Sequence, residues 1–292
     1  MNGWMKNIPD ETILSEINMP GSHDSATRFC QLSYFARCQR SSVFEQLCAG
    51  VRLLDLRVER VGDRLSLVHA VSKCFKSDNG KDLLMLEDVL EECRCFLMAN
   101  PTETLVISIK CDHGDTSENT FDVLYKNYLT YDFWYLENRI PQLYEVRGRA
   151  VFFNRFTVDC ENEEYNDLNT GLNFSGWLDQ GRYTGKTHLT SVMLRRDEKE
   201  SEPVFIQDWY KLPPKRKWRN AVLPTLNNAP CRYGVFISFL SCGNVLHNPE
   251  RSAKYINKRF LKAELSAGRK YGWLMFDFVT EKLCRKVILT NF

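Results

Sequence analysis

No stretch of the chain is apolar for the roughly 20 residues that a membrane-crossing helix needs. The opening Met1-Asn2-Gly3-Trp4-Met5-Lys6 lacks the apolar core of a signal peptide, so a cytoplasmic location is expected. Net charge is also scarce: +2 over 292 residues removes any bulk electrostatic case for a nucleic-acid partner. Metal motifs are missing, with no C-x-x-C pair and no H-E-x-x-H, so no metal and no other cofactor is expected. No internal repeat, low-complexity tract or obvious linker divides the chain. Cysteine, by contrast, is plentiful. Eleven are scattered along the sequence, and without a secretory segment they read as free thiols in a reducing compartment.

The chemistry-bearing residues fall at the ends of apolar runs. Ile13 to Met19 reads as a strand with Ile13, Ile17 and Met19 on one face, broken by Pro20-Gly21 and followed at once by Ser22-His23-Asp24-Ser25. Gly50 to Val58 is a second strand, on which Asp55 and Arg57 share a side. Leu65 to His69 is a third and ends in histidine. Glu103 to Asp112 carries Lys110 and Asp112 at its far end, and Arg149 to Arg155 ends in arginine. Val204 to Tyr210 has Asp208 near its end, Tyr233 to Phe239 leads into a glycine-containing loop, and Tyr271 to Phe278 places Asp277 at its end. Helices are predicted over 82–98, 118–129, around 218–226 and over 252–267, while 157–200 reads as long loops.

Eight strands, many of them separated by helices, predict an α/β fold with a parallel sheet, and their number fits a TIM-type β/α barrel. Active sites of such barrels lie at the carboxyl ends of the strands. His23, Asp24, Arg57, His69, Lys110, Arg155, Asp208 and Asp277 all fall there in this assignment, which argues for one shared pocket. Two histidines suit general acid–base catalysis, and arginine with lysine suits an anionic group such as phosphate. Metal-free cleavage of a phosphodiester needs a base, an acid and a cation, and histidine, histidine and arginine fill those roles. Asp24 and Asp277 are candidates for fixing the histidine tautomers.

The same residues carry a family resemblance. Trp4-Met5, Ile8-Pro9-Asp10, Met19-Pro20-Gly21-Ser22-His23-Asp24-Ser25 and Gly50-Val51-Arg52-Leu53-Leu54-Asp55-Leu56-Arg57 open the match. Val68-His69, Asn100-Pro101-Thr102-Glu103-Thr104, Ser108-Ile109-Lys110, Asn154-Arg155, Gln207-Asp208-Trp209-Tyr210 and Gly272 to Phe278 continue it in order. With these runs the chain resembles the phosphatidylinositol-specific phospholipase C family of X-domain type, in its single-domain, bacterial-like, calcium-independent branch. The resemblance implies a distorted TIM-type barrel over residues 1–292 as a single domain and a monomer. It implies cleavage of phosphatidylinositol, or of a glycosyl-phosphatidylinositol, to diacylglycerol and inositol 1,2-cyclic phosphate. His23 would be the general base, oriented by Asp277, and His69 the general acid, assisted by Asp24. Arg57 would bind the phosphate. Lys110, Arg155 and Asp208 would hold inositol hydroxyls, with Tyr210 lining or stacking. Calcium-dependent relatives carry His-Asn at the first motif and an acidic residue where Arg57 stands, so no metal requirement is implied.

Two departures stand out. Ala70 follows His69 where many relatives have glycine, and alanine restricts the backbone there. The segments 157–200 and Phe29 to Phe44 match poorly. A lipid substrate calls for contact with a membrane surface, and the candidates are Phe239 to Leu246, the apolar Leu32, Tyr34 and Phe35, and Lys215-Arg216-Lys217-Trp218. The competing reading is a catalytically silent barrel that binds phosphorylated inositol head groups as a lipid-interaction module. A related barrel hydrolase acting on glycerophosphodiesters would want a carboxylate-rich metal site instead.

Overall fold

The computed structural model describes residues 1–129, 132–158, 164–166, 169–177, 180–181, 190–195, 199–229, 234–243 and 247–292. Its strands are β1 (Met19–Ser22), β2 (Leu53–Val61), β3 (Arg64–His69), β4 (Ser72–Lys73), β5 (Leu105–His113), β6 (Trp134–Tyr135), β7 (Ala150–Asn154), β8 (Leu172–Asn173), β9 (Thr190–Arg195), β10 (Ser201–Gln207), β11 (Val235–Phe239) and β12 (Trp273–Phe276). In the sheet, β7, β5, β2, β1, β12, β11 and β10 are successive parallel neighbours. The last strand therefore docks against the first, as in a TIM-type barrel. The short β6 and β8 both lie beside β7, and β9 runs antiparallel on the edge of β10. Among the described residues nothing pairs β6 or β8 with β9, so the curled sheet is open there and the barrel is distorted.

Every residue of β1, β7, β11 and β12 is buried, as expected for parallel strands covered on both faces. β1 is tightly flanked. A Cβ on Gly21 would sit 2.4 Å from the Met275 sulfur and 3.1 Å from Leu53, so glycine lets β12 and β2 approach it from both sides. Beneath the barrel, Arg52 pairs with Glu103 at 2.8 Å, and neither side chain is exposed. The Arg52 guanidinium also donates to the carbonyls of Leu47, Val51 and Asn2 and lies over Phe96.

Helices form where caps and periodicity coincide. Leu86–Ala99 begins where the Asp88 carboxylate accepts from the Met85 N–H. Ser117–Asn127 is capped by Thr116, Pro249–Lys262 by Asn248 and Glu281–Ile288 by Thr280. The segment after Pro213 is helical through Pro214–Lys217, widens to a π turn over Trp218–Val222, and resumes over Leu223–Asn228. Pro224 has no N–H to continue the ordinary ladder, which accounts for the irregular turn just before it.

Several expectations are corrected. The first strand begins at Met19, Leu14–Glu16 is a 3-10 turn, and Pro20-Gly21 lies inside the strand rather than ending it. Leu65 to His69 is no barrel strand: β2 overruns the rim, turns at Gly62-Asp63, and β3 returns antiparallel along Val58–Val61. The segment 157–200 includes β8 and β9, although much of it, with Cys160, lies outside the described residues. Tyr233, Cys231 and residues 244–246 of the Phe239 to Leu246 loop lie outside them as well. Helix Glu281–Ile288, absent from the sequence reading, packs against β1 at the end of the chain. Among the described residues no helix is long and apolar enough to cross a membrane.

Candidate active site

Strand register brings the first two candidates together. Ser22 pairs with Phe276 across β1 and β12, so the residues that follow, His23 and Asp277, emerge side by side. His23 Nδ1 lies 2.7 Å from Asp277 Oδ1. Gln39 ties the two loops, its amide donating to the carbonyls of His23 and Phe276 and its oxygen accepting from Val279 N–H. The hydroxyls of the first motif are structural. Ser22 and Ser25 hydrogen-bond each other, and Ser25 Oγ accepts from the Asp55 N–H, fastening the loop to β2.

The neighbouring strands supply cations at one level. Arg57 on β2 is in register with Lys110 on β5, and Asn154, just before Arg155, is in register with Ile109. Arg57 is the hub. Its guanidinium reaches His23 Nε2 at 2.9 Å, Asp24 Oδ1 at 2.8 Å, Asp55 Oδ2 at 3.1 Å and Asp112 Oδ2 at 3.7 Å. Lys110 Nζ pairs with Asp112 at 2.6 Å, and Arg155 lies 3.4 Å from Asp55 with its guanidinium stacked 3.8 Å from the Trp177 ring centre.

His69 arrives from β3 rather than from a parallel strand, yet it reaches the same mouth because the hairpin folds back onto it. Its Nδ1 is 2.8 Å from the Ala36 carbonyl and 3.2 Å from Asp24 Oδ2, which is also 3.2 Å from His23 Nε2. Asp24 thus stands between the two histidines, whose ring centres are 6.1 Å apart. Ala70 takes the left-handed conformation at φ 51°, with its N–H held by Asp112 at 2.6 Å. Asp24 and Phe278 are left-handed too. The three left-handed non-glycine residues among those described thus each follow a site residue directly: His23, His69 and Asp277. Such strain concentrates where a fold over-determines a functional turn.

The charges act on one another. Burial opposes a charged His23, but the Asp24 and Asp277 carboxylates outweigh it and the Arg57 guanidinium, and its pKa is pushed up to about 9. Burial would raise Asp55, yet Arg57 and Arg155 hold it well below the usual carboxylate range; Arg57 and Lys110 do the same for Asp112. Burial lowers Lys110 and Arg155, whereas Arg57, despite its burial, is raised by Asp24 and Asp55.

All of this opens into a cavity of about 720 Å³ lined by His23, Arg57, His69, Lys110, Arg155 and Asp277, and also by Asp208 and Tyr210. Asp208 follows β10, and its N–H donates to Gln180. The cavity suits a small polar head group. The donor atoms of His23, Asp24 and Asp55 are close enough to hold a metal ion. The Arg57 guanidinium already contacts all three, so positive charge is in place there without an ion. Two contributors escaped the sequence reading. Trp177 lay in a segment without periodicity, and Gln39 in a rim segment with no local signal. Asp55 was visible, through its alternation with Arg57. Of the membrane candidates, Lys217 is fully buried and donates to Gln207, which removes it from the surface, while Tyr34 and Phe35 beside the mouth are 60% and 57% exposed.

Comparison with known proteins agrees with this geometry. The PI-PLC X family model matches residues 11–135. The chain is 27% identical over 292 residues to a 1-phosphatidylinositol phosphodiesterase of Staphylococcus aureus (strain Newman), covering 94% of this chain and 87% of that protein. A solved phosphatidylinositol-specific phospholipase C from Staphylococcus aureus, studied for its membrane binding, superposes with a TM-score of 0.78 at 25% identity over 100% of this chain and 97% of that one. The enzyme from Listeria monocytogenes shares the fold with a TM-score of 0.73 at 23% identity, over 100% and 98%. A motif set that runs from Trp4 to Phe278, on a barrel shared end to end with these proteins, makes the chain similar to the phosphatidylinositol-specific phospholipase C X-domain family and supports that family for it.

Proposed function

We propose that residues 1–292 form one catalytic barrel that cleaves phosphatidylinositol to diacylglycerol and inositol 1,2-cyclic phosphate. The observation that carries this reading is the arrangement of His23 and His69. Each is braced by a carboxylate, both face one cavity, and the Arg57 guanidinium lies against His23 Nε2. Asp277 accepts from His23 Nδ1–H and leaves Nε2 to take the proton of the inositol 2-hydroxyl. The freed oxygen attacks the adjacent phosphorus, and Arg57 stabilises the charge that develops on the phosphoryl oxygens. His69, with Nδ1 turned to Asp24 and the Ala36 carbonyl, protonates the departing glycerol oxygen from Nε2. Diacylglycerol leaves, and the five-membered cyclic phosphate remains. Lys110, Arg155 and Asp208 hold inositol hydroxyls, and Tyr210 lines the ring's far side.

The names of the relatives support the substrate class. The Staphylococcus aureus protein whose membrane binding was studied supports a lipid surface as the place of reaction. The exposed Leu32, Tyr34 and Phe35 would face that surface in a peripheral contact. The protein would act as a monomer, and free thiols fit a cytoplasmic setting. Because Arg57 stands where the calcium-dependent relatives would hold calcium, activity requires no added metal.

Incubation with phosphatidylinositol, and detection of the cyclic phosphate with the parent and His23→Ala proteins in excess chelator, tests all of these chemical claims. Product from the parent alone is expected. No product from the parent, or rescue only by calcium, would overturn them.

A further inference from the structure

Below the mouth, one thiol has no part in the chemistry above. Cys38 is buried and lines the cavity floor with His69. Its Sγ lies 3.8 Å from Asp24 Oδ2 and 3.8 Å from His69 Nδ1, which are themselves 3.2 Å apart. The Ala36 carbonyl oxygen completes the group at 3.5 Å from Sγ and 2.8 Å from Nδ1.

Zinc bonds of about 2.3 Å to sulfur and about 2.0 Å to nitrogen or oxygen, arranged tetrahedrally, require S···N and S···O separations of about 3.5 Å and an N···O separation of about 3.3 Å. The thiol, imidazole and carboxylate already meet those separations to within about 0.3 Å. We propose that Asp24, Cys38 and His69 form a thiolate-containing site for zinc, and that a bound ion silences the enzyme.

The ligand set is the mixed sulfur, nitrogen and oxygen kind that suits zinc and disfavours calcium or magnesium. Two further features favour it. The ion would take Asp24 Oδ2, while Oδ1 stays on Arg57 at 2.8 Å, so the site need not dismantle the hub. The cavity gives a path inward from the mouth. The alternative set of Cys38 with His23 and Asp277 is less open, because both His23 nitrogens are already engaged. On binding, the Cys38 thiol proton passes to solvent as the S–Zn bond forms, and His69 in its acid form loses the Nδ1 proton as that nitrogen binds while Nε2 keeps its own, so two protons are released per ion. The bound ion neutralises Asp24 and fixes His69 away from its exchange of a proton with the leaving oxygen. Silencing rests on the proposed reaction; binding does not.

The test uses the whole chain, stripped with chelator and titrated with zinc by calorimetry and with cobalt by absorption. One zinc per chain is expected, with a thiolate-to-cobalt charge-transfer band that Cys38→Ser and Cys38→Ala abolish. Zinc binding should weaken at least about tenfold in both variants. Phosphatidylinositol cleavage by the parent should fall over the concentration range in which zinc binds and return on adding chelator, while the variants stay active at that concentration. No thiolate band in the parent, or binding and inhibition unchanged in both variants, would overturn the proposal. If the band appears but zinc-free protein cleaves no phosphatidylinositol, the zinc site stands and the reaction falls.

Discussion

His23 and Asp277 are separated by 254 residues and meet at 2.7 Å because the last barrel strand docks beside the first with Ser22 opposite Phe276. The pair holds the ring tautomer and, with Asp24, favours its protonated form. A base must be neutral to act, so kcat/KM of the parent rises with pH along a limb approaching about 9. Asp277→Asn removes one carboxylate. Its limb moves to lower pH, and kcat falls by about 10²- to 10⁴-fold. A pH–rate profile of both proteins checks this, and an unshifted limb would refute the pairing. Stability follows the same group: since the folded-state pKa lies above the ordinary 6.5, the contribution of His23 is complete below about 6.5 and is lost as pH rises through about 9.

Arg57→Lys keeps a positive charge but loses the fork that touches His23, Asp24 and Asp55 together. Turnover is expected to drop about 10²- to 10³-fold, the scale of losing a preorganised charge-stabilising donor. Steady-state assays with and without calcium separate the alternatives, because recovery with calcium would mean that the position serves a metal.

Glu103 is the partner of the fully buried Arg52 at the closed end of the barrel. Replacing it with alanine leaves a guanidinium without its counter-ion among Phe96, Trp4 and backbone carbonyls. Breaking a buried pair in this way costs about 3–5 kcal/mol. Urea denaturation should show the midpoint falling at nearly constant slope. A loss below about 1 kcal/mol would place the pair among weak surface bridges instead.

Ala70 pays for its left-handed turn with steric strain of roughly 1–2 kcal/mol. Ala70→Gly relieves it but enlarges the unfolded ensemble, at about 0.4–1 kcal/mol. A net gain of about 0.5–1 kcal/mol is expected from the difference. Ala70→Val should be destabilising, since a β-branched residue fits this region worse. Thermal or urea melts of the two variants decide it, and a stability loss in the glycine variant would contradict the strain account.

The sequence was legible wherever the signal was local. Apolar runs marked β2, β5, β7, β11 and β12 to within a few residues, and periodicity marked Leu86–Ala99 and Ser117–Asn127. It misled where a local break and a tertiary demand coincide. Pro20-Gly21 reads as a strand end, but the pair lies within β1, because Gly21 alone leaves room for Met275 and Leu53. His69 was placed at the mouth on the wrong ground, as the end of a parallel strand. A hairpin that overruns the rim and folds back brings it there.

By itself, the order of residues determined which groups stand at strand ends, since alternation and turn chemistry act over a few positions. Fold family and candidate chemistry follow from that. Only the tertiary structure decided which charge meets which. Register set Arg57 beside Lys110 and His23 beside Asp277, and the folding back of the hairpin put Asp24 between two histidines. The thiol of Cys38 belongs to the second kind. No spacing in the chain announces it, because its partners at Asp24 and His69 come from two other segments and converge only when the rim segment, the β1 loop and the hairpin pack together. Distances between side chains depend on that packing, and linear sequence does not encode them separately from it.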